Sequence, residues 1–275
     1  MEINKKKELL KIAKSIRIDI VKMLNKSQSG HPGGSLSITD ILTYLYFYEM
    51  NIDPNDKTEK ADRDRFILSK GHAAPALYAT LTKRGFFDKT ELNTLRQIGS
   101  NLQGHPHRLD LPGIDASTGS LGQGLSMAVG MGIGLKLSKI KSNIYVILGD
   151  GESQEGQVWE ASMSAGFRNL DNLCVFLDYN NLQIDGKVSD IKDIYPVVDK
   201  WKAFNWNVIE IDGHDFDEIH KAINLFKEEK VKPTMIILKT IKGKGVSFME
   251  NNVGFHGVTP SDDELKTALM ELQNG

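Results

Sequence analysis

Two short motifs, Gly149-Asp150-Gly151 and Asn180-Asn181, could do chemistry together. Each follows an apolar run, IYVIL before the first and LCVFLD before the second, and the stretch from Glu152 to Tyr179 separates them. That interval fits one helix plus a return strand, so Asp150 and Asn180 are expected to end neighbouring strands and face one ion. A carboxylate, an amide oxygen and a backbone carbonyl are hard donors of the kind Mg²⁺ takes into its octahedron. Gly149 and Gly151 let the backbone approach a phosphate closely, and a helix starting after Gly151 can turn N–H groups toward it. An acid-glycine turn alone is common. The pair, with a strand before each member, is more specific; two unrelated strand-end turns are the plain alternative.

The chain has seven histidines: His31, His72, His105, His107, His214, His220 and His256. A lone histidine is usually structural or at the surface, and only its titration near neutrality singles it out. His31, His72, His105 and His256 stand in glycine-flanked loops, where binding residues concentrate. His214 reads as part of a structural turn, and His220, beside Lys221 in a helical stretch, reads as solvated. A zinc site is a weak alternative without cysteine pairs or an H-E-x-x-H helix.

Strands are expected at Arg65 to Ser69, Ile144 to Leu148, Leu173 to Asp178, Asn207 to Ile211 and Met235 to Lys239. Crossover helices are expected at Leu121 to Ser138, Val158 to Phe167 and Phe216 to Glu229. Apolar strands separated by helices imply an α/β fold, a doubly wound parallel sheet with helices on both faces, built as one domain over residues 1–275. Ligands of such sheets bind beyond the carboxyl ends of the strands, and three of these runs end there in Lys70-Gly71-His72, Gly149-Asp150-Gly151 and Asn180-Asn181.

Composition is that of a globular protein: 275 residues, 40% apolar, 25% charged, net charge −2. Nothing global points to nucleic acid, and no apolar run approaches the roughly 18 residues of a membrane helix. Leu9, Ile12, Ala13, Ile16, Ile20 and Leu24 recur at helical spacing near the N-terminus. They predict a helix packed on the domain, with a basic membrane-surface helix as the alternative. Cys174, the one cysteine, reads as a buried apolar residue in a cytoplasmic protein. Ser261 to Glu264 reads as a capping box opening a last helix that stops at Asn274-Gly275.

The wider pattern resembles the transketolase family, in order, from about Ser29 to Pro260. The matching segments are Ser29 to Gly33 (SGHPG), Arg63 to Ala73 (RDRFILSKGHA), Gly104 to Pro106 (GHP), Ser117 to Gly124 (STGSLGQG), Gly149 to Gly156 (GDGESQEG), Asp178 to Gly186 (DYNNLQIDG), Asp212 to Asp215 (DGHD), and Lys239 to Gly245 followed by His256-Gly257. The resemblance implies thiamine diphosphate with Mg²⁺, or Ca²⁺ or Mn²⁺ in its place. It gives the metal to Asp150, Asn180 and the Leu182 carbonyl. It gives the cofactor to His72, Gly119, Leu121, Gly149, Gly151, Asn180 and His256, and the sugar and proton handling to His31, His105 and His256. Asp178 becomes a supporting acid, and Glu155 an interface residue linking two cofactor sites, with a helix-start acid as its alternative.

The resemblance further implies the N-terminal, diphosphate-binding subunit of a split transketolase. The pyrimidine-binding domain, with the glutamate that activates the cofactor, and the C-terminal domain would lie on a second chain, two of each chain forming a heterotetramer. The expected activity is transfer of a two-carbon ketol unit from a ketose to an aldose, commonly as phosphates, in the pentose phosphate pathway. The alternatives are a deoxyxylulose-phosphate synthase, a 2-oxo acid dehydrogenase α-subunit, and a non-catalytic cofactor-binding subunit.

Overall fold

The computed structural model describes residues 1–56 and 60–274. In chain order its elements are α1 (Ile3–Ser27), α2 (Pro32–Ser37), α3 (Thr39–Tyr44), β1 (Arg65–Leu68), α4 (Ala74–Arg84), α5 (Gln123–Leu137), β2 (Ile144–Gly149), α6 (Gly156–Phe167), β3 (Leu173–Tyr179), β4 (Leu182–Gln183), β5 (Gly186–Lys187), α7 (Val188–Ile191), α8 (Val197–Ala203), β6 (Asn207–Asp212), α9 (Phe216–Glu228), β7 (Thr234–Lys239) and α10 (Asp262–Asn274). Five strands form one sheet in the order β1-β2-β3-β7-β6, and every pairing in it is parallel. β4 and β5 make a separate antiparallel hairpin.

Alternation along the strands explains the two faces. In β2, Tyr145 and Ile147 join the core with α1, α3, α4 and α9. Ile144, Val146 and Leu148 join the opposite core with α5, α6 and α8. Apolar side chains on both faces are the mark of a sheet covered by helices. The expected α/β fold, doubly wound with helices on both sides, is what forms.

α1 buries Leu9, Ala13, Ile16, Ile20 and Leu24 and packs on α3, α4 and α10. Its apolar stripe is spent on the core, so the membrane-surface alternative falls. Among the described residues no helix is long and apolar enough to cross a membrane. Cys174 is buried and free. The capping box at Ser261 forms: Ser261 N–H donates to Glu264 at 2.7 Å, and Glu264 N–H to Ser261 Oγ at 3.3 Å.

Some boundaries shift. α5 begins at Gln123 rather than Leu121, because Gly119 and Gly122 take left-handed φ of 139° and 82°, outside any helix. A four-residue 3₁₀ turn, Gly151–Gln154, precedes α6. Residue 275, the expected end of the last helix, lies outside the described residues.

Gly166 of α6 is buried where a Cβ would drive into the Phe204 carbonyl. Gly166→Ala is expected to cost about 2–3 kcal/mol in urea unfolding. Gly130, in α5 with nothing near its missing Cβ, should gain up to about 1 kcal/mol as Gly130→Ala in the same measurement, since alanine is the better helix former.

Candidate active site

A cavity of about 340 Å³ opens at the carboxyl ends of β1, β2 and β3. His31, His72, His105, Gly119, Leu121, Gly149, Asp150, Gly151, Asn180, Leu182 and His256 all line it. Residues distant in the chain meet because parallel crossovers return every strand's carboxyl end to one edge.

Asp178, at the end of β3, is fully buried. Its carboxylate accepts from Lys70 Nζ at 2.6 Å, Ser37 Oγ at 2.7 Å, Thr240 Oγ1 at 2.5 Å and Asn180 Nδ2 at 3.1 Å. Burial alone would push its carboxyl up, but Lys70 and these donors hold it below the usual range. It supports other residues from behind and is not among those lining the cavity. Asn180, with its amide nitrogen on Asp178, receives the Leu182 N–H at Oδ1, 3.1 Å away.

Asp150 accepts from Gly151 N–H at 2.7 Å and Asn181 N–H at 2.5 Å. Burial, then the neighbouring Asp178 charge, raises its pKa to about 6. A carboxyl in that condition gains from a cation beside it. Asp150, the Asn180 amide oxygen and the Leu182 carbonyl are the hard oxygen set that Mg²⁺ favours. The Leu182 carbonyl already accepts from the Lys242 ammonium at 3.1 Å, which marks the spot as one that holds positive charge. The residues therefore fit a divalent ion. The Gly151 N–H expected to meet a diphosphate is engaged by Asp150 in this structure.

Three imidazoles pack together. His72 stacks on His256 at 5.4 Å, and His31 meets them edge-on at 5.2 and 5.5 Å. Burial is the main reason all three are held neutral, with nearby cations adding to it. His31 falls to about 4 and His256 to about 3, and His72 falls well below its ordinary value. His31 Nδ1 is buried without a hydrogen-bond partner, an orphan that a bound hydroxyl could satisfy. His105 sits against Gly119, whose Cβ would lie 2.9 Å from its ring. Leu121 is exposed at the rim. Glu155 is exposed there too, directly before α6, and makes no side-chain cap.

Sequence reasoning gave no role to Lys70, Glu152 or Lys242. Glu152 is buried and ties three loops, accepting from Ser69 Oγ at 2.5 Å, Gly122 N–H at 2.8 Å and Gly149 N–H at 3.0 Å. Lys242 lies 2.8 Å from His256 Nδ1, and burial, then the Lys70 charge, lowers it to about 8. The signal was burial of charge inside glycine-rich motifs, which types and spacing do not reveal.

The outlying histidines divide. His214 is structural as expected: its Nδ1 lies 2.7 Å from Asp40, which Arg17 grips, and its Nε2 accepts from Ile241 N–H at 2.9 Å. His220 is not the solvated residue expected. It is half-buried beside Tyr44 and Tyr48, with the Tyr44 hydroxyl 2.7 Å from its Nδ1, because its helix turns this face onto α3. Among the described residues no group of three or more His, Cys, Asp or Glu could hold a metal.

The family model "Transketolase, thiamine diphosphate binding domain" matches residues 8–273. The chain belongs to this family. It is 47% identical over 261 residues to a 6-deoxy-6-sulfo-D-fructose transketolase subunit of Clostridium sp. (strain MSTE9), covering 95% of this chain and 94% of the relative. It is 41% identical over 268 residues to one subunit of the apulose-4-phosphate transketolase of Actinobacillus succinogenes, covering 97% and 96%. Among solved structures it matches the transketolase of Campylobacter jejuni with a TM-score of 0.92 at 34% identity, covering 99% of this chain and 43% of that one. The chain thus spans about two fifths of the length of that solved transketolase, but nearly all of the subunit-type relatives.

The depressed histidines set a sign for acid stability. Below their ordinary pKa the unfolded chain takes protons that the folded chain refuses, so stability should fall as pH drops from 6.5 toward about 4. Asp150 acts oppositely, since its folded carboxyl binds a proton more tightly than the unfolded one. His31→Gln is expected to flatten the wild-type loss between pH 6.5 and 4 in urea midpoints. An unchanged pH slope would show that His31 protonates freely in the fold.

Proposed function

We propose that this chain is the diphosphate-binding subunit of a two-chain transketolase. The observation that carries the reading is the convergence of the GDG and NN motifs and four loop histidines on one cavity. Asp150, Asn180 and the Leu182 carbonyl hold Mg²⁺, or Ca²⁺ or Mn²⁺ in its place. Gly151, His72 and His256 would hold the diphosphate, with Gly119 and Leu121 as further residues that would contact the cofactor. Thiamine diphosphate, when bound, supplies the carbon nucleophile and electron sink for moving a two-carbon ketol unit from a ketose to an aldose.

The chain's own residues do the rest. His31 and His105 hold hydroxyl and carbonyl oxygens of the sugar. A neutral imidazole has one donor and one acceptor nitrogen, so it can both grip a hydroxyl and take its proton. Enforced neutrality of His31 keeps that acceptor open. His256, backed by Lys242, faces the same space.

A second chain supplies the pyrimidine-binding domain and the activating glutamate, and two of each chain form the assembly. The relatives named as transketolase subunits support the existence of a partner chain. Their names concern a sulfo-sugar and apulose-4-phosphate, so they lend no weight to the pentose phosphate pathway, and they favour a ketose bearing an anionic end group as the substrate class. A cytoplasmic setting suits the unpaired, buried Cys174.

Calorimetry on the assembled complex tests the metal site. Asp150→Ala is expected to abolish measurable cofactor binding, as EDTA should in the wild type, and undiminished affinity in both would overturn the assignment. The second-chain requirement has its own test. Purified alone, the chain should give no ketol transfer with saturating cofactor, and titrating in the partner should restore turnover by mass action. Full turnover by the chain alone would refute it.

A further inference from the structure

Arg96 lies in the loop before Gly104 and has no part in the chemistry described above. Its backbone is left-handed, φ 57°, a region that a non-glycine residue keeps only where its surroundings enforce it. The enforcement is visible, for its N–H donates to the Leu102 carbonyl at 2.9 Å. The turn aims the side chain back across the loop. Nη1 reaches Ser29 Oγ at 3.3 Å and Nη2 the Gly104 carbonyl at 3.4 Å. The guanidinium lies on Gly104 so closely that a Cβ there would sit 2.9 Å from its carbon.

The two contacts fall at telling places. Ser29 stands two residues before His31, and Gly104 directly precedes His105. One planar cation thus spans the loops that carry both sugar-facing histidines. The far side of the second loop is tied to the body of the protein, where the Tyr78 hydroxyl donates to the Gln103 and His105 carbonyls at 2.9 and 3.2 Å. We propose that Arg96 is a positioning residue for substrate binding, its guanidinium setting the spacing of His31 and His105 by bridging their loops. This rests on reading those histidines as sugar ligands.

The geometry calls for arginine. Its rigid fork presents separated N–H groups in one plane, whereas lysine is a point charge on a flexible stem. The charge has a second consequence. After burial, Arg96 is the strongest influence holding both imidazoles neutral. His31 also faces His105, Lys70 and Lys242, with His72 and His256 packed around it. His105 faces Arg96 chiefly.

Bridge and charge separate experimentally. Arg96→Met removes both, Arg96→Lys keeps the charge, and Ser29→Ala removes one arm of the bridge. In the assembled complex, Arg96→Met and Arg96→Lys should each lower kcat/KM for the ketose donor by about 10–100-fold, the scale of an ångström-level misplacement. Cofactor affinity by calorimetry should stay unchanged. Ser29→Ala should show a smaller loss in the same direction, and it carries the test if Arg96→Met fails to fold. Histidine NMR titration of the full chain adds a readout independent of turnover. His31 and His105 should titrate at higher pH in Arg96→Met and near their wild-type positions in Arg96→Lys. Wild-type donor kinetics in Arg96→Met, or full rescue by lysine, would overturn the bridge. A wild-type complex that bound cofactor yet transferred no ketol unit would instead overturn the functional reading.

Discussion

The buried pair of Lys70 and Asp178 is the contact on which the site depends. Asp178 has no solvent exposure and Lys70 only 2%. Charges so far from water persist only with nearly every donor and acceptor satisfied. Here the carboxylate is shared among the turn after β1 through Lys70, α2 through Ser37, the residue after β7, Thr240, and the candidate ligand Asn180. Lys70 returns a bond to the Gly34 carbonyl at 3.1 Å. Strand ends that a sheet leaves free to splay are thereby drawn to one point, and loss of either partner would leave a bare charge in the core. Glu152 repeats the device one step away, gathering Ser69, Gly122 and Gly149.

These acids and lysines also tune the space in front of them. Lys70 and Lys242 stand behind the histidines and help keep them neutral. A protonated imidazole cluster would bind anions strongly but could not accept a hydroxyl proton. Lys242 keeps its ammonium against the Leu182 carbonyl and His256 at the cavity wall, while Asp150, raised by burial and by Asp178, favours a cation beside it. The cavity thus sets a carboxyl that favours a cation beside a lysine, which suits a ligand carrying both signs of charge.

Sequence made the fold and the positions of the site residues legible because both rest on local signals. Apolar runs with helices between them mean a parallel sheet, and strand-end glycines mark its working edge. Gly149-Asp150-Gly151 and Asn180 could be read on those grounds, with the family pattern adding Gly119, Leu121 and Leu182. The supporting charges could not. Lys70 looks like any lysine until the Asp178 contact is known, and the exposed Arg96 like any surface arginine until its reach to Ser29 and Gly104 is seen. His220 misled for the same reason: a helical position beside lysine gives no hint that Tyr44 waits across the interface. Spacing along the chain reports which edge a residue occupies, and only three-dimensional packing reports what it must neutralise.

The surface beside the cavity bears on the second chain. α5 and α6 begin at its rim, after Gly122 and Glu155, and run away from it with apolar groups on their outer faces. Leu137, Met163 and Phe167 are exposed, and Met127 and Met131 are only partly covered. Gly130 and Gly134 leave open backbone between them. Exposed apolar side chains on neighbouring helices favour association where they adjoin, and glycines permit close approach of another backbone. A protein seated on these helices would continue to Leu121 and Glu155 at the mouth and wall the cavity's open side. The charge pattern points the same way. The buried cations and acids lie on the strand edge, whereas the rim carries the exposed Leu121 and Glu155.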